Sequence, residues 1–564
     1  MCLSYEDLVP VSRSSTEVFK TGLWGKKRPL YREGIGPCRQ ACPCGIDIPS
    51  VLSFVSKGDF DRALGQILLE NPFPGICGRV CYHPCELSCN RGRLDETVSV
   101  RSIERAVSDY GKASPVRLSR TKPKSVAIVG GGPAGLSCAY FLLSMGHKVS
   151  IYEKDQAIGG VLRYGIPAYR LPESVLEREI ERLLSMGPDV HTGVKVDGSL
   201  LNELLLAHDS VFLALGLEEP RRLDIEGEKR DGVYYGLPYL RGERPIVGRC
   251  KHAVVIGGGD VAMDAARKLL REQPTAKVSI YAPEQFDSLP ALKENLEEAM
   301  EEGIEIRGGL IPVSFEGDGR VQKVRFVDVK VETDPVAGQR RFVRGKEAMD
   351  VEADVVVICA GQVPRTDFLP SQILDERGLV RCDRYGRTRM ARLFAGGDIV
   401  GFKATVADAI ASGKRAAMAI DMDSHSGEPP DIPLLGNSLL PSFSHYLGID
   451  RKETGKVLAF EALNTIPVPF SAAFRPEKER PGQRRKDFRE VSKGFREKEA
   501  MEEAGRCLSC GLCKGCDLCF LVCPDVAIVR KDLKVFSVKD DYCKACGVCA
   551  RVCPCGVLEM VDRE

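Results

Sequence analysis

Short continuous apolar runs, each ended by glycine, recur along the middle of the chain and read as strands buried on both faces. "VAIV" precedes Gly130, "AVVI" precedes Gly257, and "VVVICAG" and "RLFAGGDIVG" follow later. After the first run, "KSVAIVGGGPAGLSCAYFLLSMGHKVSIYEK" continues as glycine turn, helix and second strand. "HAVVIGGGDVAMDAARKLLREQPTAKVSIYAPE" repeats the unit. The two later runs read as the chain returning to the first fold after the second was inserted. Near the other end, "CPDVAI" and "CPCGVLEM" each fit a cysteine loop running into a short strand. Between these regions, "GEPPDIPLLGNSLLP" reads as a surface linker and "RPEKERPGQRRKDFREVSKGFREKEAMEEAGR" as a solvated helix.

The pattern predicts a multidomain α/β protein with two Rossmann-like folds, one inserted in the other. The expected boundaries are 1–120 for a helical, cysteine-rich N-terminal domain, 121–250 with 355–424 for the first Rossmann-like fold, 251–354 for the inserted one, 425–500 for a linker and 501–564 for an α+β, cysteine-rich C-terminal domain. A length of 564 residues suits three to five domains.

Charge changes little in this picture. Lys and Arg number 80 against 79 Asp and Glu, so nothing electrostatic favours nucleic acid or an anionic membrane. No apolar run reaches about 18 residues, and residues 1–20 show no basic stretch followed by an apolar core. A cytoplasmic protein is expected.

Cysteine changes much more. Of 23 cysteines, most crowd into 38–89 and 507–555, with Cys138, Cys250, Cys359 and Cys382 between. That distribution reads as metal or cluster domains flanking an ordinary core. Cys543, Cys546, Cys549 and Cys553 follow C-x2-C-x2-C-x3-C-P, and so do Cys513, Cys516, Cys519 and Cys523. In this pattern the fourth cysteine of each run reaches the other cluster. One [4Fe–4S] set is therefore Cys513, Cys516, Cys519 and Cys553, and the other is Cys543, Cys546, Cys549 and Cys523. Cys507, Cys510 and Cys555 are left over, as an alternative register, extra ligands or buried thiols.

Gly130, Gly132 and Gly135, with Pro133 and Ala134 between them, form G-x-G-x-x-G between strand and helix, and Glu153 ends the second strand. The glycines admit a pyrophosphate to the helix N-terminus, and the acid accepts from a ribose hydroxyl. Gly257, Gly259 and Ala262 repeat the turn. Two such folds suit a held flavin and an exchanging nicotinamide.

"GGVLRYGIPAYRLPESVL" and "LFAGGDIVGFKATVADAIASGKRAA" resemble the glutamate synthase small-subunit family of flavin oxidoreductases. That family includes the electron-input half of dihydropyrimidine dehydrogenase and the large subunit of ferredoxin:NADP transhydrogenases. The resemblance runs from about Thr21 to the end. It implies FAD on the first fold, with Asp398 on the ribitol, Glu153 on the adenosine ribose, and Gly159, Gly160, Gly361, Gly397 and Thr405 nearby. It places the nicotinamide nucleotide at Gly257, Gly259, Asp260 and Val261. Many relatives carry paired arginines where this chain has Ala282, Pro283 and Glu284. A carboxylate repels a 2′-phosphate and accepts from a free 2′-OH, so NAD(H) is expected over NADP(H). A disulfide reductase would need a C-x-x-C beside the flavin, and 251–354 holds no cysteine.

The N-terminal cysteines resemble that family's iron–sulfur domain. Cys42, Cys81 and Cys85 match one cluster, with Glu104 as a non-cysteine fourth ligand. The second cluster's upstream cysteine pair is missing, so one [4Fe–4S] cluster is expected here, with Cys38 and Cys89 as candidate replacements and Cys44 and Cys77 structural. The resemblance implies a subunit that transfers hydride between NADH and FAD and relays single electrons through clusters. Its partner would be ferredoxin, a glutamate synthase large subunit, a 2-oxoacid:ferredoxin oxidoreductase or a sulfite-reductase system. A non-catalytic relay subunit and a bifurcating one remain alternatives.

Overall fold

The computed structural model describes residues 20, 22, 25–119, 122–246, 248–333, 340–401, 404–423, 442–449, 456–532 and 535–563. The Pro-rich linker at 427–441 and all but the last residue of the segment read for a signal lie outside these. Among the described residues no helix is long and apolar enough to cross a membrane.

The N-terminal domain is helical. Helix Phe60–Leu68 buries Phe60, Ala63, Leu64, Ile67 and Leu68, the one-face spacing of an amphipathic helix, and Asp59 caps it by accepting the Arg62 N–H. Helix Pro74–Val80 presses on helix Val100–Tyr110 at Gly78, where a Cβ would lie 2.5 Å from the Arg105 backbone nitrogen.

The first nucleotide fold is a five-stranded parallel sheet in the order Leu393–Ala395, Ser210–Leu213, Ser125–Val129, Lys148–Glu153, Asp189–Thr192. Helix Pro133–Ser144 is apolar nearly all round because the sheet covers one side and helix Val406–Met422 the other. Gly413 permits that contact, since a Cβ there would stand 2.2 Å from the Ala134 carbonyl oxygen.

The inserted fold is larger than 251–354. Its parallel sheet runs Glu305–Arg307, Lys277–Tyr281, His252–Ile256, Val355–Ile358, Val233–Tyr235. "VVVI" therefore belongs to the inserted sheet and not to the returning first domain. A run buried on both faces carries no mark of which sheet it joins. The crossing between folds is instead the short antiparallel pair Glu219–Pro220 with Gln362–Val363.

Two further boundaries shift. Strand Lys27–Tyr31 pairs antiparallel with Leu558–Asp562, so part of 1–120 completes the cysteine-rich C-terminal domain. The stretch 475–506 is not one solvated helix. Pro476, Pro481 and the left-handed Gly494 (φ +74°) break it, and only Pro481–Arg484 and Glu497–Gly505 are helical. It straps the domains together, with Lys478 on Glu294 and Glu298, Arg484 on Glu301, and Glu490 on Arg79 and Arg105.

Candidate flavin, nucleotide and cluster sites

Gly130 has φ +106°, and a Cβ there would meet the Ala214 carbonyl oxygen at 2.4 Å. Glycine is thus required on two counts. Glu153 closes the loop from the next strand. Its carboxylate accepts the Gly131 N–H at 2.7 Å and the Asp155 N–H at 2.9 Å, and burial raises its pKa. Gly159 N–H donates to the Gly131 carbonyl at 2.8 Å, and a Cβ on Gly160 would lie 2.9 Å from Gly132 Cα.

The structure therefore stacks Gly159–Gly160 on the Gly130–Gly135 loop. Across from it, Gly397 N–H donates to Ser412 Oγ at 2.8 Å, and a Cβ at Gly397 would touch Ala134. Asp398 is raised to about 6 by burial, with the nearby Asp408 adding to it. Thr405 caps helix Val406–Met422, accepting the Asp408 N–H at 3.1 Å and donating to its carboxylate at 2.5 Å. The N-terminus of helix Pro133–Ser144 opens on the Gly130–Gly135 loop with Gly397 beside it, an arrangement suited to phosphate and polyol oxygens. Gly361 stands apart, in the ribbon between the folds, accepting the Arg221 N–H.

In the inserted fold Gly257 has φ +134°, and a Cβ would meet the Cys359 carbonyl oxygen at 2.4 Å. Gly259 caps helix Asp260–Glu272, with Val261 in its first turn. Asp260 is engaged elsewhere, since its Oδ1 accepts from Leu292 N and from Asn295 Nδ2 at 2.6 Å. It anchors the next helix. Glu284 behaves differently. Its backbone is fixed by Gly309 N–H on its carbonyl, and its Oε2 lies beside Gly258, 2.9 Å from where a Cβ would be. That oxygen is buried without a hydrogen-bond partner, which is costly unless a ligand supplies a donor. Arg170 reaches across from the first fold to Asp264 at 2.5 Å, so the two nucleotide folds are tied at this helix.

Most described cysteines of the two rich regions gather around four cavities. Cys42, Cys81, Cys85 and Glu104 line one, with Cys44, Cys77, Asn71 and Ala407. The neighbouring Cys44 thiol holds the Cys42 pKa below the usual thiol range. Asn71 Nδ2 donates to Glu104 at 2.8 Å, and burial holds that carboxyl well above the usual carboxylate range. Cys44, read as structural, lies on the wall as well, at 3.6 Å from the Ala407 carbonyl oxygen.

Cys38 and Cys89 are not on this wall. They line a second cavity with Cys507 and Cys510, two residues that sequence reasoning left over. Their C-x2-C spacing was the available signal. A third cavity is lined by Cys523, Cys543, Cys546 and Cys549, and a fourth by Cys513, Cys516, Cys519 and Cys553 with Cys555. Helices Leu518–Leu521 and Val548–Val552 each carry one cysteine, Cys519 or Cys549, to one cavity, and the next cysteine, Cys523 or Cys553, just past the helix, lines the other. Among the described residues no three His, Cys, Asp or Glu side chains form a group that could hold a single metal ion. The thiols surround volumes instead of converging on points.

Residues 124–419 match the family described as "Pyridine nucleotide-disulphide oxidoreductase", and residues 34–116 match "Dihydropyrimidine dehydrogenase domain II, 4Fe-4S cluster". The chain is 32% identical to "NADP(+)-dependent formate dehydrogenase subunit beta" of Moorella thermoacetica, over 84% of this chain and 70% of that one. It is 33% identical to "Glutamate synthase [NADPH] small chain" of Escherichia coli K12, over 68% and 87%. It is 32% identical to "NAD-dependent dihydropyrimidine dehydrogenase subunit PreT" of the same organism, over 68% and 90%. Two parallel nucleotide-binding sheets, a helical cysteine domain and these matches agree: the chain belongs to the iron–sulfur flavoprotein oxidoreductases of which the glutamate synthase small chain is a member.

Proposed function

We propose that the protein exchanges electrons between NADH and a redox partner protein, using FAD and [4Fe–4S] clusters. When bound, the flavin supplies the exchange between an electron pair and single electrons, and the clusters supply one-electron steps. The chain's residues do the binding and orienting. Gly130, Gly132, Pro133, Ala134 and Gly135 with Gly159 and Gly160 would cradle the FAD pyrophosphate. Glu153 would hold its adenosine ribose, and Gly397, Asp398 and Thr405 its ribitol side. Gly257, Gly259 and Val261 would receive the nicotinamide nucleotide, with Glu284 on its ribose 2′-OH.

Cys42, Cys81, Cys85 and Glu104 would ligate the cluster next to the flavin fold. The two ferredoxin cavities would hold one cluster each, with Cys523 and Cys553 exchanged between the runs. One observation carries the reading. Ala407, two residues past the Thr405 cap, is also a wall of the Cys42 cavity, so the flavin-type site and a cluster-type site share a single helical turn.

An anaerobic titration of the whole chain with NADH, and separately NADPH, tests this by following flavin and cluster absorbance together. Bleaching of the flavin band and then the cluster bands by NADH is expected. A flavin-loaded protein that neither nucleotide reduces would overturn the reading.

A further inference from the structure

Cys38, Cys89, Cys507 and Cys510 come from opposite ends of the sequence and line one cavity, with Pro37, Ile48, Leu52, Asn90, Val98 and Val100 among its other walls. The segment 22–36 contributes no cysteine, and the neighbouring Cys42, Cys44, Cys81 and Cys85 line the other cavity, so the N-terminal domain brings only two thiols to this one. The structure supplies two from the far end. Cys38 faces Cys507, Cys89 and Cys510 as its thiol neighbours.

The backbone around Cys507 and Cys510 is built as the ferredoxin turns are. In the Cys507–Cys510 step, as in the opening C-x2-C of each ferredoxin-type run, the residue before the second cysteine has positive φ: Ser509 at +51°, Gly515 at +70° and Ala545 at +60°. In the first two, that residue's N–H points at the preceding sulfur, Ser509 to Cys507 at 3.2 Å and Gly515 to Cys513 at 3.4 Å. A serine in the left-handed region is strained. The turn around it is the one that presents both sulfurs of a pair to one cluster. Asn90 adds a side-chain N–H at 3.5 Å from the Cys510 sulfur.

Two buried arginines then fix this turn against the N-terminal domain. Arg506, next to Cys507, donates to the carbonyls of Glu96, Thr97 and Ser471 and pairs with Asp95 at 3.2 Å and Glu503 at 2.8 Å. Arg91, two residues past Cys89, donates to the Arg506 carbonyl at 3.0 Å. Both arms of the thiol set are thereby held by one ion-pair network.

We propose that Cys38, Cys89, Cys507 and Cys510 ligate a further [4Fe–4S] cluster that joins the N-terminal domain to the ferredoxin domain. A mononuclear zinc would draw four sulfurs to about 2.3 Å from one point, and these thiols do not converge in that way. Each thiolate of a cuboidal cluster binds a different iron, which suits four sulfurs around a volume. The site also fills a gap. It shares the Ile48, Leu52 and Val100 wall with the Cys42 cavity, and the next residue after Cys510 donates its N–H to Cys555, on the wall of the Cys513 cavity. Its place in a relay rests on the function proposed above; the ligand set does not.

The test is iron, acid-labile sulfide, zinc and flavin content of the anaerobically reconstituted whole chain, with electron paramagnetic resonance of the reduced protein. The wild type is expected to hold about sixteen iron and no stoichiometric zinc. Cys507→Ala/Cys510→Ala, and separately Cys38→Ala, should each lose about four iron and the same resonance while keeping flavin. Equal iron in wild type and variants, different resonances lost from the two arms, or zinc at this site would overturn the proposal. If the variants also lose flavin, the wild-type count decides: about sixteen iron supports the site and about twelve removes it. A chain that holds the full iron yet is not reduced by NADH would overturn the proposed function and leave this site standing.

Discussion

Glu284→Gln keeps the shape of the side chain and an acceptor oxygen but removes the charge. In the structure Glu284 Oε2 is buried and unpartnered beside Gly258, and Gly309 holds the Glu284 backbone in place, so the carboxylate is poised for one donor. A hydrogen bond to a charged group contributes about 1.5–3 kcal/mol against about 0.5–1.5 for a neutral one. Losing that difference, about 1–1.5 kcal/mol, lowers kcat/KM for NADH by about fivefold to tenfold. NADPH moves the other way. A 2′-phosphate about 5 Å from the carboxylate is repelled by about 3 kcal/mol per charge at an effective dielectric of about 20, and the variant removes this. The NADH-to-NADPH preference should therefore fall by about a thousandfold. Rapid mixing under anaerobic conditions, following flavin absorbance against nucleotide concentration, gives both constants. A wild type that prefers NADPH, or a variant with an unmoved ratio, would refute the assignment of Glu284 to the ribose.

Three further outcomes are expected. Asp398 rises from 3.8 to about 6 on folding, so its contribution to flavin-free stability is full below pH 4 and lost as pH rises through 6, by about 3 kcal/mol; Asp398→Asn should flatten this part of a denaturation-versus-pH curve, and an unchanged curve would show that Asp398 does not cause it. Cys523→Ser should cost about four iron and the signal of the Cys543 cluster even though Cys523 lies in the other run; loss of the Cys513 cluster alone would reverse the ligand exchange. Glu503 is fully buried and accepts the Ser99 and Phe474 N–H groups while pairing with Arg506, so Glu503→Ala should cost about 3–5 kcal/mol and expose the Cys507 region to limited proteolysis, whereas wild-type resistance would show that the network is not what holds that region.

Both glycine loops, the acids that follow them and the doubled ferredoxin run were legible because each is a local pattern whose chemistry needs neighbours in sequence. Sheet membership was not. "VVVI" and "RLFA" look alike, yet Val355–Ile358 pairs in the inserted fold and Leu393–Ala395 in the first, since an apolar run says it is buried without saying where. The charged stretch 475–506 misled for a related reason: a charge run is solvated only when no opposite charge meets it, and Glu294, Glu298, Glu301 and Arg79 do. The grouping of Cys38 with Cys507 is contact across more than four hundred residues, which no local spacing encodes.

The pairing of Lys27–Tyr31 with Leu558–Asp562 sets a timetable for making the protein. At about 5–20 residues per second, the earlier strand waits roughly 25–100 s for its partner to be synthesised. During that interval its backbone N–H and C=O groups are unpaired, leaving the kind of edge that recruits neighbouring nascent chains. Its sequence, "KKRPLYR" from Lys26, carries the lysines and proline that keep such an edge from pairing with the wrong strand. The cysteine-rich C-terminal fold can therefore close only once Leu558–Asp562 has been made, because that strand is the one Lys27–Tyr31 pairs with.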